Sequence, residues 1–202
     1  MKLYYAPGAC SLASHISLHE SGLPFEIDQF IPSTGKTASG EDFMQVNPKG
    51  YVPTIRLDDG GILTEGAAVL QYIADQNPAS GLAPKSGTME RYHLQEWLTF
   101  IGTEIHKTFS PLFGKTIPPE VKMRAHDLLT RRLGYVESQL ANKPYLMGEH
   151  FTVADAYMFV VVKWSDRVGF DLAQFPKIRE YLERISARDA VQAAMKAEGL
   201  IQ

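Results

Sequence analysis

The stretch NPASGLAPKSG, residues 77–87, divides the chain into two parts that pack by different rules. Its Pro, Gly and Ser content marks a linker. Before it, short aromatic or β-branched runs alternate with helix-period segments. After it, no segment reads as a strand. KLYYA (2–6) is a strand closed by Pro7 and Gly8. Residues 10–21 carry Leu12 and Ile16 at helical spacing and stop at Gly22 and Pro24. FEIDQFI (25–31) alternates as a strand, PSTGKTASG is a polar loop, and EDFMQV is at most a short helix. PTIRL and ILT, joined by DDGG, form a hairpin, and a helix follows over 65–76. The expected order is β-α-β-α-β-β-α. Beyond the linker, MERYHLQEWLTFIGTEIHKTF is one long helix with Leu94, Leu98, Ile101, Ile105 and Phe109 as its apolar stripe. Further helices cover 119–140 and 153–168, and a pair closes the chain. The layout is a small α/β domain, residues 1–80, followed by an all-helical domain, residues 88–202.

Composition narrows the function classes. A net charge of −3 over 202 residues is no footprint for nucleic acid. No apolar run reaches the length of a membrane span, and MKLYYAPGAC lacks the apolar core of a signal peptide. The single cysteine, Cys10, cannot form an internal disulfide, which points to a cytoplasmic, reducing location. One cysteine with scattered histidines makes no zinc cluster, so no metal is expected.

Cys10 follows a strand and a Pro-Gly turn and opens a helix. The helix dipole and unpaired N–H groups there favour a thiolate. Thioredoxin-like folds carry their redox cysteine at this place, as C-x-x-C. Here the run is CSLA, so a second sulfur would have to come from a small thiol such as glutathione. The alternative is a small buried hydrophobe. Ser11 reads either as a donor to a thiolate or as an ordinary first-turn residue, and Tyr5 either as a cleft residue or as a strand core aromatic.

Two further sites suit an extended peptide ligand. In YVPTI, a cis Val52–Pro53 bond would turn the Val52 N–H and C=O outward for strand-like pairing. A trans proline at a strand start is the other reading. In LTEGAAV, the N–H groups of Gly66 and Ala67 suit a carboxylate, and Glu65 beside them suits an ammonium. Together they match an α-amino acid zwitterion. Glu65 as a plain first-turn residue is the alternative.

The segments YYAPGACSLASHI, VNPKGYVPTIRLDDG, LTEGAAVLQYIAD, EIHKTFSPLF and FTVADAYMF resemble bacterial glutathione S-transferases of the beta class, over essentially the whole chain. The Cys10 and His106 pair carries the class. The resemblance implies the glutathione transferase fold: an α/β thioredoxin-like N-terminal domain plus an all-α C-terminal helical domain that contributes the electrophile site and dimer contacts. It also implies a homodimer, a cis Val52–Pro53 bond, and glutathione as co-substrate. Carried over by motif, the site comprises Cys10, Val52, Glu65, Gly66, Thr103, Glu104 and His106, with Cys10 and His106 catalytic. Three positions depart from the family pattern. The usual lysine at the glycyl end falls at Gly35, with Lys36 beside it as a substitute. The usual asparagine of the long helix is Thr99. Gly66 stands where serine is common.

At 100° per residue, Thr99, Thr103 and His106 share one stripe of the long helix, bordered by Gly102, which leaves room for a ligand. A neutral His106 can exchange a proton or hydrogen-bond a thiolate. Glu104 points away, towards a partner subunit's site. Thr152 and Asp155 form a capping box, so Asp155 is structural. Trp97, Tyr157 and Trp164 read as core or wall, with Phe109, Phe113 and Trp164 as walls for an apolar electrophile, and Arg131 and Arg132 as a solvated helix face. The resulting expectation is an enzyme that adds the glutathione thiolate to apolar electrophiles in detoxification. Its rivals are glutathione-dependent thiol–disulfide exchange through a Cys10 mixed disulfide, and a non-enzymatic binding protein on the same fold.

Overall fold

The computed structural model describes residues 1–202. In chain order the elements are β1 (Lys2–Tyr5), α1 (Ser11–Ser21), β2 (Glu26–Ile31), β3 (Lys36–Thr37), α2 (Phe43–Val46), β4 (Thr54–Arg56), β5 (Ile62–Thr64) and α3 (Gly66–Gln76). There follow α4 (Met89–Phe100), a π-helical segment (Ile101–His106), α5 (Lys107–Phe113), α6 (Pro119–Gln139), α7 (Val153–Val168), α8 (Pro176–Ser186) and α9 (Asp189–Ala197). They form two compact units, Met1–Ala83 with Arg188–Gln202, and Pro84–Ala187. The division between Ala83 and Pro84 falls inside the linker expected over residues 77–87. The last helix, expected in the all-helical domain, instead packs on α1 in the first unit.

The first unit is a five-stranded sheet in the order β3-β2-β1-β4-β5. β1 and β2 run parallel, with Leu3 opposite Ile27, which requires a crossover; α1 supplies it. β4 and β5 form the antiparallel hairpin the DDGG turn predicted, with Arg56 opposite Ile62. Alternation along β1 sends Leu3 and Tyr5 into a core with Leu18, Ile55, Val69 and Ile73, beneath α1 and α3. Tyr4 goes to the other face, with Phe30, Phe43 and Val46. One strand was not expected: β3 lies within the polar loop PSTGKTASG and pairs antiparallel with β2.

The second unit is entirely helical. Its axis is α7, buried on every side from Val153 to Val162, as an apolar helix without a polar face must be. The stripe Leu94, Leu98, Ile101, Ile105 and Phe109 is buried throughout, as the spacing predicts. The long helix itself is not uniform, because Ile101–His106 winds as a π segment.

Candidate functional site

Cys10 occupies the N-cap of α1 and is half-buried. Its thiol donates to the Val52 carbonyl oxygen at 3.2 Å. The Val52–Pro53 bond is cis. The first unit therefore brings together the sulfur and the backbone segment that the sequence paired only through a resemblance. Ser11 takes no part in that contact. It is fully buried, its hydroxyl donates to the Ala6 carbonyl at 3.3 Å, and its oxygen accepts from the Ala6 N–H at 3.1 Å, so it braces the loop. Tyr5 is a core residue, 7 % exposed. Burial, with Glu198 and Asp28 adding to it, pushes its phenol above the ordinary range.

Glu65 opens α3 with φ 71° and ψ 117°, the one non-glycine residue of the chain with positive φ. Such a conformation costs on the order of 1–3 kcal/mol and persists where the surroundings impose it. Its carbonyl accepts the first helical bonds from Ala68 and Val69, which leaves the Gly66 and Ala67 N–H groups ahead of the ladder. The Glu65 carboxylate is exposed and accepts from the Lys49 ammonium at 2.7 Å; the same ammonium donates to Thr64 Oγ1 at 3.0 Å. Sequence reasoning missed Lys49, which lies too far along the chain for any local spacing signal. A Cβ on Gly66 would meet only Pro53, at 3.9 Å, an ordinary contact. Lys36 lies elsewhere: it is on β3, at the edge of the sheet opposite β5 and Glu65.

In the second unit His106 ends the π segment. Single π turns inside α-helices recur at functional positions. Its Nδ1 lies 2.7 Å from the Tyr157 hydroxyl, and the Trp164 ring stands edge-on at 4.8 Å. Burial, and secondarily the Lys107 cation, push its pKa down to about 4, so the ring is neutral at pH 7. With Nδ1 committed to Tyr157, Nε2 is the nitrogen left for a second partner. Thr99 and Thr103 are exposed, and their hydroxyls donate to the Gln95 and Thr99 carbonyls, at 2.8 and 3.0 Å. Each oxygen remains an acceptor.

Other expectations change. The uniform 100° advance from Thr99 to His106 does not hold through the π segment. The space beside Gly102 is bordered by Tyr157: a Cβ there would lie 3.6 Å from its hydroxyl, an ordinary contact. Glu104 is tied to Arg132 of α6 at 2.6 Å, so Arg132 is only in part a solvated residue, whereas Arg131 is exposed. Phe109 is fully buried; Tyr157 and Trp164 are the rings beside His106, and Phe113, 43 % exposed, meets the Trp164 ring edge-on at 5.5 Å. A cavity of about 580 Å³ in this unit is lined by Trp97, Phe100, Arg132, Tyr135 and Met147, and includes none of Thr99, Thr103 or His106.

The neutral, partly buried state of His106 gives a pH dependence. The unfolded chain protonates this group near pH ~6.5, and the folded chain only at about 4. Its contribution is complete above pH ~6.5 and is lost as pH falls towards 4, a loss of roughly 2–3 kcal/mol. Urea unfolding at pH 7 and near pH 4.5 checks this: the acid loss is expected to shrink by about 2 kcal/mol in His106→Gln.

Two family models match the chain, "Glutathione S-transferase, N-terminal domain" over residues 8–76 and "Glutathione S-transferase, C-terminal domain" over residues 100–189. Glutathione S-transferase GstA of Escherichia coli O157:H7 is 44 % identical over 200 residues, covering 99 % of this chain and 100 % of that protein. A sphingomonad glutathione S-transferase solved with glutathione is 47 % identical, with a TM-score of 0.96 and 100 % of both chains covered. A beta-class enzyme from Sphingomonas chungbukensis is 46 % identical, with a TM-score of 0.95 and 100 % of both chains covered.

Proposed function

The chain belongs to the glutathione S-transferase family, in its bacterial beta class, and from that premise we propose that it conjugates the glutathione thiolate to apolar electrophiles in the cytoplasm, as a homodimer with a detoxifying role. The observation that carries this is the Cys10 thiol held 3.2 Å from the Val52 carbonyl. It sets a sulfur against the backbone along which an extended peptide would lie.

In this scheme the cysteinyl part of glutathione pairs with Val52, its sulfur beside Cys10. The γ-glutamyl carboxylate takes the Gly66 and Ala67 N–H groups and the ammonium takes Glu65, displacing Lys49. Lys36 serves the glycyl end. Thr99, Thr103, Glu104 and His106 are the proposed contributions of the second unit, and Phe113 and Trp164 form the apolar wall. The glutathione S–H bond breaks, its proton leaves to solvent, and the sulfur lone pair forms the new C–S bond. With an aryl halide, the halide departs with the electrons of its bond. A neutral His106 that accepts from Tyr157 carries its proton on Nε2, the form suited to donate a hydrogen bond to a sulfur anion. Stabilising that anion near neutral pH is the main contribution, with proximity second.

Glutathione conjugation to 1-chloro-2,4-dinitrobenzene tests this reading. Glu65→Ala removes the partner of the ammonium. The expected result is a glutathione KM raised about tenfold to a hundredfold, from a charged hydrogen bond of about 1.5–3 kcal/mol. The rival chemistry is thiol–disulfide exchange, which the half-buried sulfur at the start of α1 also suits. There Cys10 attacks a disulfide and expels one thiolate, and glutathione then resolves the mixed disulfide and restores the free thiol.

A further inference from the structure

The loop before Cys10 is held from the far end of the chain. Glu198 caps α9 and its side chain is fully buried, an unusual place for a carboxylate unless both oxygens are satisfied. They are. Oε2 accepts the Gly8 N–H at 2.9 Å, and Oε1 lies 3.0 Å from His15 Nδ1. A carboxylate only accepts, so the His15 proton sits between the pair. His15 is itself 1 % exposed, stacked on His19 and edge-on to Phe25.

Gly8 is the hinge of the loop. It adopts φ 66°, which suits glycine, and follows Pro7, which has no N–H to offer. Ser11 fixes Ala6 from inside the loop. Glu198 fixes Gly8 from outside it. Two residues later the chain enters α1 at Cys10. A second clip holds α9 against α1 away from the loop: Arg188 donates to the Glu20 carboxylate through Nε at 2.5 Å and Nη2 at 2.8 Å. The first clip acts on the loop and the second only on the helix, so their effects separate.

We propose that Glu198 is a positioning residue for Cys10: by fixing the Gly8 peptide it holds the first turn of α1 and aims the thiol at the Val52 backbone. This deepens the assignment of Cys10 as the residue beside the glutathione sulfur, and rests on it. The physical link is the first turn itself. Its N–H groups favour a thiolate only while they point at the sulfur. Freeing the Gly8 peptide lets that turn fray.

The chain has one cysteine, so alkylation by iodoacetamide reports on Cys10 alone. The rate is followed from about pH 5 to about pH 10 in the folded wild type and variants. Glu198→Ala is expected to raise the midpoint of the profile by about half a unit or more, as the thiolate loses its aligned donors. Arg188→Ala, which cuts the other clip, is expected to leave it in place. Glu198→Gln, whose amide oxygen still accepts from Gly8, is expected to restore most of the shift. A folded Glu198→Ala with the wild-type midpoint overturns the proposal, as do equal shifts in Glu198→Ala and Arg188→Ala, which mark general loosening. If circular dichroism shows Glu198→Ala unfolded, the same comparison is made on Glu198→Asp, whose carboxylate is too short to span Gly8 and His15. A midpoint unmoved there overturns the proposal equally. The thiol profile needs no transferase activity, so it decides the matter even if conjugation fails. Where conjugation is present, kcat falls in Glu198→Ala by no more than it falls in Cys10→Ala, while the glutathione KM stays within about twofold.

Discussion

Asp155→Ala is expected to destabilise the second unit by about 3–5 kcal/mol. Asp155 is fully buried in the first turn of α7. Its carboxylate accepts from the Leu146 and Thr152 N–H groups, each at 2.8 Å, from the Thr152 hydroxyl at 2.8 Å and from the Tyr181 hydroxyl at 3.0 Å. Burial raises its pKa, and these four bonds oppose that rise. Removing the carboxylate leaves several buried donors without an acceptor, each costing about 1–3 kcal/mol. Asp155→Asn, which keeps one oxygen, is expected to lose roughly half as much. Urea unfolding of the two variants checks the ordering. A loss below about 1 kcal/mol in Asp155→Ala would mean that water replaces the carboxylate. The capping box that the sequence announced is therefore the smaller part of what Asp155 does. Its bonds to Leu146 and Tyr181 also tie α7 to the preceding loop and to α8.

Cys10→Ala is expected to separate the two chemistries. Thiol–disulfide exchange needs the Cys10 sulfur as attacking atom, and should fall by about a thousandfold or more. Conjugation uses the glutathione sulfur. It loses only what Cys10 contributes by neighbouring it, and should stay within about tenfold of the wild type. The check is one preparation assayed for both reactions. Equal collapse of both activities, in a folded variant, would mean that Cys10 serves conjugation directly.

What the sequence conveyed follows from what local patterns can carry. The stripe from Leu94 to Phe109 was legible because apolar residues at steps of three and four have one structural meaning. The hairpin at DDGG and the capping box at Thr152 and Asp155 were legible for the same reason, since each is complete within a few residues. β3 escaped because a two-residue strand has no alternation to detect. The π segment escaped because IGTEIH holds nothing that a regular helix would reject. The return of α9 to the first unit escaped for a different reason. Val191 and Ala194 mark its apolar side, but no pattern within the helix states which surface that side will meet. The same limit covers the candidate site. Cys10, Val52 and Glu65 stood out through their neighbours in sequence. Lys49 on Glu65, Tyr157 on His106 and Glu198 on Gly8 are tertiary partners, visible only once the chain is folded.

The measurement that bears most directly on function is the rate at which the purified chain joins glutathione to 1-chloro-2,4-dinitrobenzene, corrected for the uncatalysed reaction. A rate that saturates in glutathione, and whose glutathione KM rises in Glu65→Ala, is the predicted result. A folded protein that binds glutathione yet gives no rate above background would contradict conjugation as its activity, and would leave disulfide exchange at Cys10 as the chemistry to measure next.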